Sequence, residues 1–398
     1  MILTKPSFRN ASALELGLAL RNAHDYTLTL FDCFAAAGMD DVAGLEKNEL
    51  FSPPLWTLGH LAWFAEWYIL REAQGSHPAA AVRTSILTKG DDWFDPATVQ
   101  QLSRWSLGLP KPGQVKTYFN EVLDRVLDKL SRASNDDASL YPYRLALAYQ
   151  DMQGEAWVGM LQTLGLHAPV ALERHATPSW AQGEIRFPGG TLQMGSPQDE
   201  GFVFDNEKWM HALYVPAFVM DSNLISNAQF AEFVSDNGYQ RAQYWSNAGR
   251  QWLMEQEHSA PQGWSRDGHW WRCERFGRQL SLVANEPVRH VSLYEAQAYC
   301  VWADRRLPTE SEWEFAASSG HAAFRWGDLW EWTCTPFEPY PDFSADAYAE
   351  YSEPAFATHQ SVRGASFVTP PRMRSPKHRK FALPGNYDIF VGFRTCRL

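Results

Sequence analysis

The chain has 398 residues, 45% of them apolar and 20% charged, and a net charge of −11. Its length exceeds one ordinary core and predicts two domains or three. The acidic balance, with no basic run, argues against nucleic-acid and anionic-membrane partners, and leaves small molecules, including small anions in a local basic pocket, as the expected ligands.

Residues 10–165 read as helices. Ala11–Ala37 carries an apolar stripe through Leu16, Leu20, Ala23, Leu30 and Phe34. Pro53-Pro54 opens a helix to about Arg71, with Trp56, His60, Trp63, Phe64 and Trp67 at helical spacing. Thr98–Trp105 is a short helix or turn. Pro112–Ser131 and Tyr141–Leu164 are the third and fourth long amphipathic stretches, marked by Val115, Phe119 and Val122 and by Leu145, Ala148 and Met152. An antiparallel four-helix bundle is the simplest packing. The connection of roughly 40 residues between the second and third helices is long enough to cover one end.

From about Pro169 the periodicity gives way to proline, glycine and short apolar runs. Two helices stand out, Ser226–Asn237 and Ser292–Ala303, the latter with Glu295 at capping-box spacing from Ser292. The expected division is a helical domain over 1–168, a linker around Leu166–Pro178, and an α+β domain over 179–398. The aromatic content, 18 Trp, 15 Tyr and 23 Phe, suits a fold poor in regular structure, and also suits a pocket for a ring or an organic cation. Five widely spaced cysteines without a C-x-x-C pair indicate neither a disulfide framework nor a cysteine zinc site. No cleavable leader and no bilayer-length apolar run is visible, so a cytoplasmic location is expected.

The second half carries Asp205-Asn-Glu207, Arg306-Leu-Pro-Thr-Glu310, Glu312-Trp-Glu314, Trp326-Gly-Asp-Leu-Trp-Glu-Trp332, Arg363-Gly-Ala-Ser-Phe367 and Gly392-Phe-Arg394. In this order they resemble the formylglycine-generating-enzyme (sulfatase-modifying-factor) domain, which has a C-type-lectin-like fold. The first half carries Pro54-Leu-Trp56, Gly59-His60-x-x-Trp63-Phe64-x-Glu66 and a helix containing Glu155. These resemble the DinB-like bundle of the ergothioneine and selenoneine synthase group. The strings Trp56-Thr-Leu-Gly-His60, Phe337-Glu-Pro-Tyr-Pro-Asp342 and Tyr351-Ser-Glu-Pro354 lean toward the selenoneine branch. The superfamily's formylglycine activity uses a cysteine pair that holds copper, and the corresponding stretch Arg372–Arg379 has no cysteine, so that activity is not expected.

The resemblance implies an oxidoreductase or transferase that joins a thiol or selenosugar donor to C2 of the hercynine imidazole. It also implies nonheme ferrous iron on three histidines, one alone and two in an H-x-x-x-H-x-E pattern whose i,i+4 spacing puts both rings on one helix face. Here His60 fills the first position, but Tyr149 and Gln153 occupy the other two, followed by Glu155. A tyrosine ligates iron only as phenolate, released from a group of pKa about 10, and a glutamine carbonyl is a weak neutral donor. His60, Gln153 and Glu155 are the remaining metal candidates, and Tyr149 and Tyr340 the catalytic ones. Arg83, Trp332, Phe367, Arg372, Arg374, Asn386 and Asp388 are the substrate-binding candidates, with Arg83 matched to an anionic co-substrate. A structural calcium beside Trp330-Glu-Trp332 is also implied.

Three readings stay open. The chain is an enzyme with an altered metal set; it transfers sulfur or selenium without that metal; or it is a non-catalytic small-molecule-binding homologue that has lost the iron site. His60 itself reads equally as a ligand or as a core histidine hydrogen-bonded to Glu66 or Tyr149. His24, on the first helix, lies near enough in the pattern to approach the same region.

Overall fold

The computed structural model describes residues 7–42, 47, 50–73, 81–175 and 182–398. The last residues of the Leu166–Pro178 linker lie outside them. Helix α1 (Ala13–Ala36) starts on a capping box in which Ser12 and Glu15 satisfy each other's backbone N–H groups. Helix α2 (Pro54–Ala65) has proline in its first turn and runs on to Arg71 through a wider, π-type turn over Glu66–Leu70. The short α3 (Gly90–Phe94) follows, then α4 (Pro112–Leu130), α5 (Asp137–Thr163) and the single turn α6 (Val170–Glu173). The Asp136 carboxylate accepts from the Ser139 N–H at 2.9 Å, so α5 begins a turn before its apolar pattern does.

Helix α1 packs on α5 and α2 on α4, around buried side chains that include Phe31, Phe34, Leu147 and Val158. The described part of the connection between α2 and α4 lies against α2, where the Trp56 indole donates to the Trp93 carbonyl at 2.7 Å. At Gly59 the approach is closest: a Cβ there would sit 2.2 Å from the fully buried Phe94 ring. Gly59→Ala is therefore expected to push Phe94 off α2 and to cost about 1–3 kcal/mol as an overpacked core does. A lowered urea midpoint would register this, and an unchanged midpoint would show that Phe94 moves freely.

The second half is mixed. A four-stranded sheet runs in the order Glu184–Phe187, Phe218–Asp221, Cys396–Arg397, Arg305–Arg306. Another runs Arg379–Ala382, Gln360–Gly364, Trp330–Pro336, Val391–Gly392, the last pair parallel. A hairpin (Gly190–Met194 with His211–Val215) and a three-stranded meander over Trp264–Ser281 complete the strands. Helices α7 (Asn227–Ser235), α8 (Asn247–Gln256), α9 (Leu293–Trp302) and α10 (Glu310–Ser318) pack around the sheets. The capping box expected at Ser292 and Glu295 is present.

The interior of this half is heavily charged. Arg363 bridges Glu310 at 2.9 Å and also pairs with Glu314, Arg379 pairs with Glu310 at 2.7 Å, and Arg394 holds Glu331 through both carboxylate oxygens. The carboxylate of Trp330-Glu331-Trp332 is thus neutralised by arginine and also accepts from the Trp313 indole, which makes it a poor cation ligand. Among the described residues no helix is long and apolar enough to cross a membrane, and all five cysteines are unpaired.

The halves share one apolar cluster, in which Phe202, Phe204, Leu329 and Phe390 pack with the bundle core. Polar ties reinforce it. Arg9 grips Glu207 at 2.7 and 2.8 Å, and Arg372 grips Asp151 at 2.7 and 2.6 Å.

Candidate functional site

A cavity of about 350 Å³ opens between α2 and α5, walled by Trp56, His60, Arg104, Tyr149, Gln153 and Tyr348 among others. Helix α2 brings His60 because its buried face faces α5, with Trp56 stacked 4.8 Å from the imidazole on one side and Trp63 5.8 Å away on the other. The Phe94 carbonyl, delivered by the connection between α2 and α4, lies 2.8 Å from His60 Nδ1. A carbonyl only accepts, so Nδ1 carries the hydrogen and Nε2 keeps its lone pair. That lone pair is taken: the Tyr149 hydroxyl donates to it at 2.8 Å.

Burial pushes His60 down to about 4, so the ring stays neutral. Burial likewise pushes the Tyr149 phenol up to about 12, with the neighbouring Tyr348 hydroxyl working the other way. Phe64 stacks on Tyr149 at 4.0 Å and meets Tyr348 edge-on at 5.1 Å. Gln153, one turn after Tyr149, lies half-buried on the same wall with no side-chain partner among the described residues.

This donor set does not fit the ferrous ion that the resemblance implies. Iron(II) in such a site needs several unshared imidazole or carboxylate donors. Here the one imidazole lone pair and the phenol hydrogen satisfy each other, and Gln153 adds only a neutral carbonyl. Among the described residues no three His, Cys, Asp or Glu side chains converge on a possible metal position.

Glu155, two residues beyond Gln153, faces the other way. Its carboxylate accepts from the Trp330 indole, from Thr369 Oγ1 at 2.6 Å and from Lys380 Nζ at 2.9 Å. Burial works against the charge, but Lys380, Thr369 and Trp330 hold the carboxyl below its usual range. A smaller chamber of about 150 Å³ lies on this side, beside Asp151, Glu155 and His378. Farther along α5, Gln162 bonds the Glu274 carbonyl and the Phe276 N–H of the second half.

The remaining candidates are dispersed. Asn386 and Asp388 line a groove of about 530 Å³ that shares Leu50 with the His60 cavity. Arg372 is engaged with Asp151 and, at 3.0 Å, with Asn22. Arg374 donates to the Thr369 and Ser366 carbonyls. Phe367 stacks on His175 at 4.5 Å. Trp332 is fully buried, its indole donating to the Val291 carbonyl. Tyr340 packs under Arg379 at 3.9 Å and beside His211, with its hydroxyl unpartnered among the described residues. Arg83 is exposed, and its carbonyl accepts from Arg71. His24 bonds Asn120 and stacks on Phe119, away from His60. Glu66 accepts from Tyr118, Ser85 and the Ile86 N–H and does not reach His60. Arg104 and Tyr348 escaped the sequence reading. Arg104 lies in a single short 3-10 stretch, Gln101–Ser106, inside the expected Thr98–Trp105 helix or turn but too short to define a face, and Tyr348 lies in a stretch without periodicity.

The chain is similar to known proteins along most of its length. The family model for the sulfatase-modifying factor enzyme 1-like domain matches residues 171–328. A protein named hercynine oxygenase from Mycolicibacterium thermoresistibile is 30% identical over 440 aligned positions, covering 96% of this chain and 94% of that protein. Its namesake from Mycolicibacterium smegmatis is 29% identical, covering 88% and 92%. A formylglycine-generating enzyme from Streptomyces coelicolor is 36% identical over 166 positions, covering 38% of this chain and 53% of that one. The helical first half followed by a sulfatase-modifying-factor domain, aligned nearly end to end with such relatives, makes this chain a member of the hercynine oxygenase family within the ergothioneine synthase group.

Proposed function

We propose that this protein binds hercynine, the trimethylated betaine of histidine, in the cavity above His60 and Tyr149, and that it does so without a ferrous centre. The observation that carries this reading is the closed His60–Tyr149 pair at the floor of an aromatic cavity. Aromatic faces suit a trimethylammonium group, which has no hydrogen to donate, and the Tyr149 oxygen and Gln153 amide suit an imidazole ring. Joining a thiol or selenosugar donor to C2 would oxidise the imidazole carbon and so needs an electron acceptor. These side chains supply none, and they do not hold the metal that would bring one. Recognition without turnover is the function that the geometry supports best.

A second reading, C–S or C–Se bond formation on the same ligand, draws support from relatives that carry the name oxygenase and align along 96% of the chain. The donor would then occupy the groove at Asn386 and Asp388. Titration calorimetry of metal-free protein with hercynine separates the readings, followed by anaerobic ferrous loading and an aerobic assay with a thiol or selenosugar. Binding without product is expected. Iron- and His60-dependent product would replace this proposal with the catalytic reading, and the absence of hercynine binding would sink both.

A further inference from the structure

Arginines on the bundle are generally matched by acids. Arg71 pairs with Asp91 at 2.6 Å and Arg144 with Asp137 at 2.7 Å. Arg104, the charged group on the wall of the His60 cavity, is not. Its Nε donates to the Val99 carbonyl at 3.4 Å, and Nη1 donates to Ser52 Oγ at 2.9 Å and Gln101 Oε1 at 2.6 Å. These acceptors are all neutral. Nη2 has no protein partner among the described residues and is not sealed in the interior. The guanidinium lies 3.8 Å from the Trp56 ring centroid, and Trp56 in turn stacks on His60, so the fork is held beside the cavity in a fixed plane.

A half-buried cation with no counter-charge is costly unless a ligand supplies one. Burial accordingly lowers the Arg104 pKa, and the only side chains that work the other way are the Tyr149 and Tyr348 phenols. Among the described residues no acid lines the cavity. We propose that Arg104 anchors the carboxylate of the cavity's ligand, so that the site selects a ring-bearing carboxylate over its decarboxylated counterpart; this rests on the betaine reading above and gives it an orientation. The carboxylate meets the free edge of the guanidinium. Tyr149, its hydrogen spent on His60, offers its oxygen as an acceptor to a ring N–H. The two contacts fix the ligand at both ends.

The test compares hercynine with N,N,N-trimethylhistamine, which lacks only the carboxylate, by titration calorimetry on the full chain and on Arg104→Gln. A charge-assisted contact of this kind is expected to favour hercynine by about ten- to a hundredfold in the native protein, and Arg104→Gln to abolish most of that preference. Equal affinity of the native protein for both ligands overturns the proposal, and this needs no variant to fold. A preference that survives Arg104→Gln overturns it as well. Imidazole-4-propionate and 4-propylimidazole form a second pair. Arg104-dependent preference for the propionate without hercynine binding would uphold the anchor and reject the betaine. Failure of both carboxylates to bind would reject the two together.

Discussion

The double replacement Tyr149→His with Gln153→His is expected to convert a cavity whose donors do not fit a divalent metal into one that binds Co²⁺ or Fe²⁺ with roughly micromolar or tighter affinity. The scaffold for three imidazoles is already in place. The Phe94 carbonyl fixes the His60 tautomer so that Nε2 faces α5. Positions 149 and 153 are one turn apart on the wall that Nε2 faces. Removing the phenol releases the lone pair that it occupies, and two further imidazoles supply the donors that the native chain lacks. Cobalt visible absorption and anaerobic ferrous dialysis would report the gain, and His60→Ala in the double-variant background should abolish it. Native protein that takes up iron through His60, or a double variant that takes up none, would contradict the account of the site given above.

The second large effect concerns stability. Glu310→Gln is expected to cost about 3–5 kcal/mol, because it leaves Arg363 and Arg379 buried with too little negative charge around them. Both guanidiniums reach the Glu310 carboxylate, and the side chains of all three are almost wholly enclosed. Urea unfolding should show a lower midpoint with a similar slope. Acid titration gives an independent readout. Burial alone would raise the Glu310 pKa, but Arg379 and Arg363 bring it down to about 2. The stability that this pairing contributes is therefore present above the ordinary glutamate value near 4.5 and is lost as pH falls toward about 2. In Glu310→Gln that part of the acid limb should vanish. A variant as stable as the native chain, with an unchanged acid limb, would show that the network is redundant.

The same residue shows where sequence reading fails. Helices α1, α2, α4 and α5 advertise themselves through apolar stripes, and their ends fall within a few residues of those stripes. Helix α10 does not, because it buries Glu310 and Glu314 against Arg363, distant in sequence, and Glu312 against the nearby Arg306; a rule that sends charges outward misreads such a helix. Helix α8 buries little beyond Gly249 and Trp252, and the Trp264–Ser281 meander is largely exposed, so neither has a strong period to detect. At the site, His60 and Tyr149 were legible because helical spacing places residues on faces. Arg104 sits in a 3-10 stretch too short to show a period and Tyr348 on irregular chain, so nothing local says which way either side chain points. The sequence offered Glu66 or Tyr149 as partners of His60; the choice of Tyr149, and of Nε2 as the atom it meets, needed coordinates, since the tautomer depends on a carbonyl 34 residues away from His60.

Helix α5 serves two masters on opposite sides. Tyr149, Gln153, Ala156 and Met160 face the cavity, while Asp151, Glu155 and Gln162 tie the helix to the second half. An offset of two residues turns about 200° around a helix, so the rows are structurally insulated. Substitutions in the first row can change the chemistry of the cavity while the second row keeps the helix tied to the second half. That separation marks the cavity row as the place where new ligands can be designed in without loosening the seam.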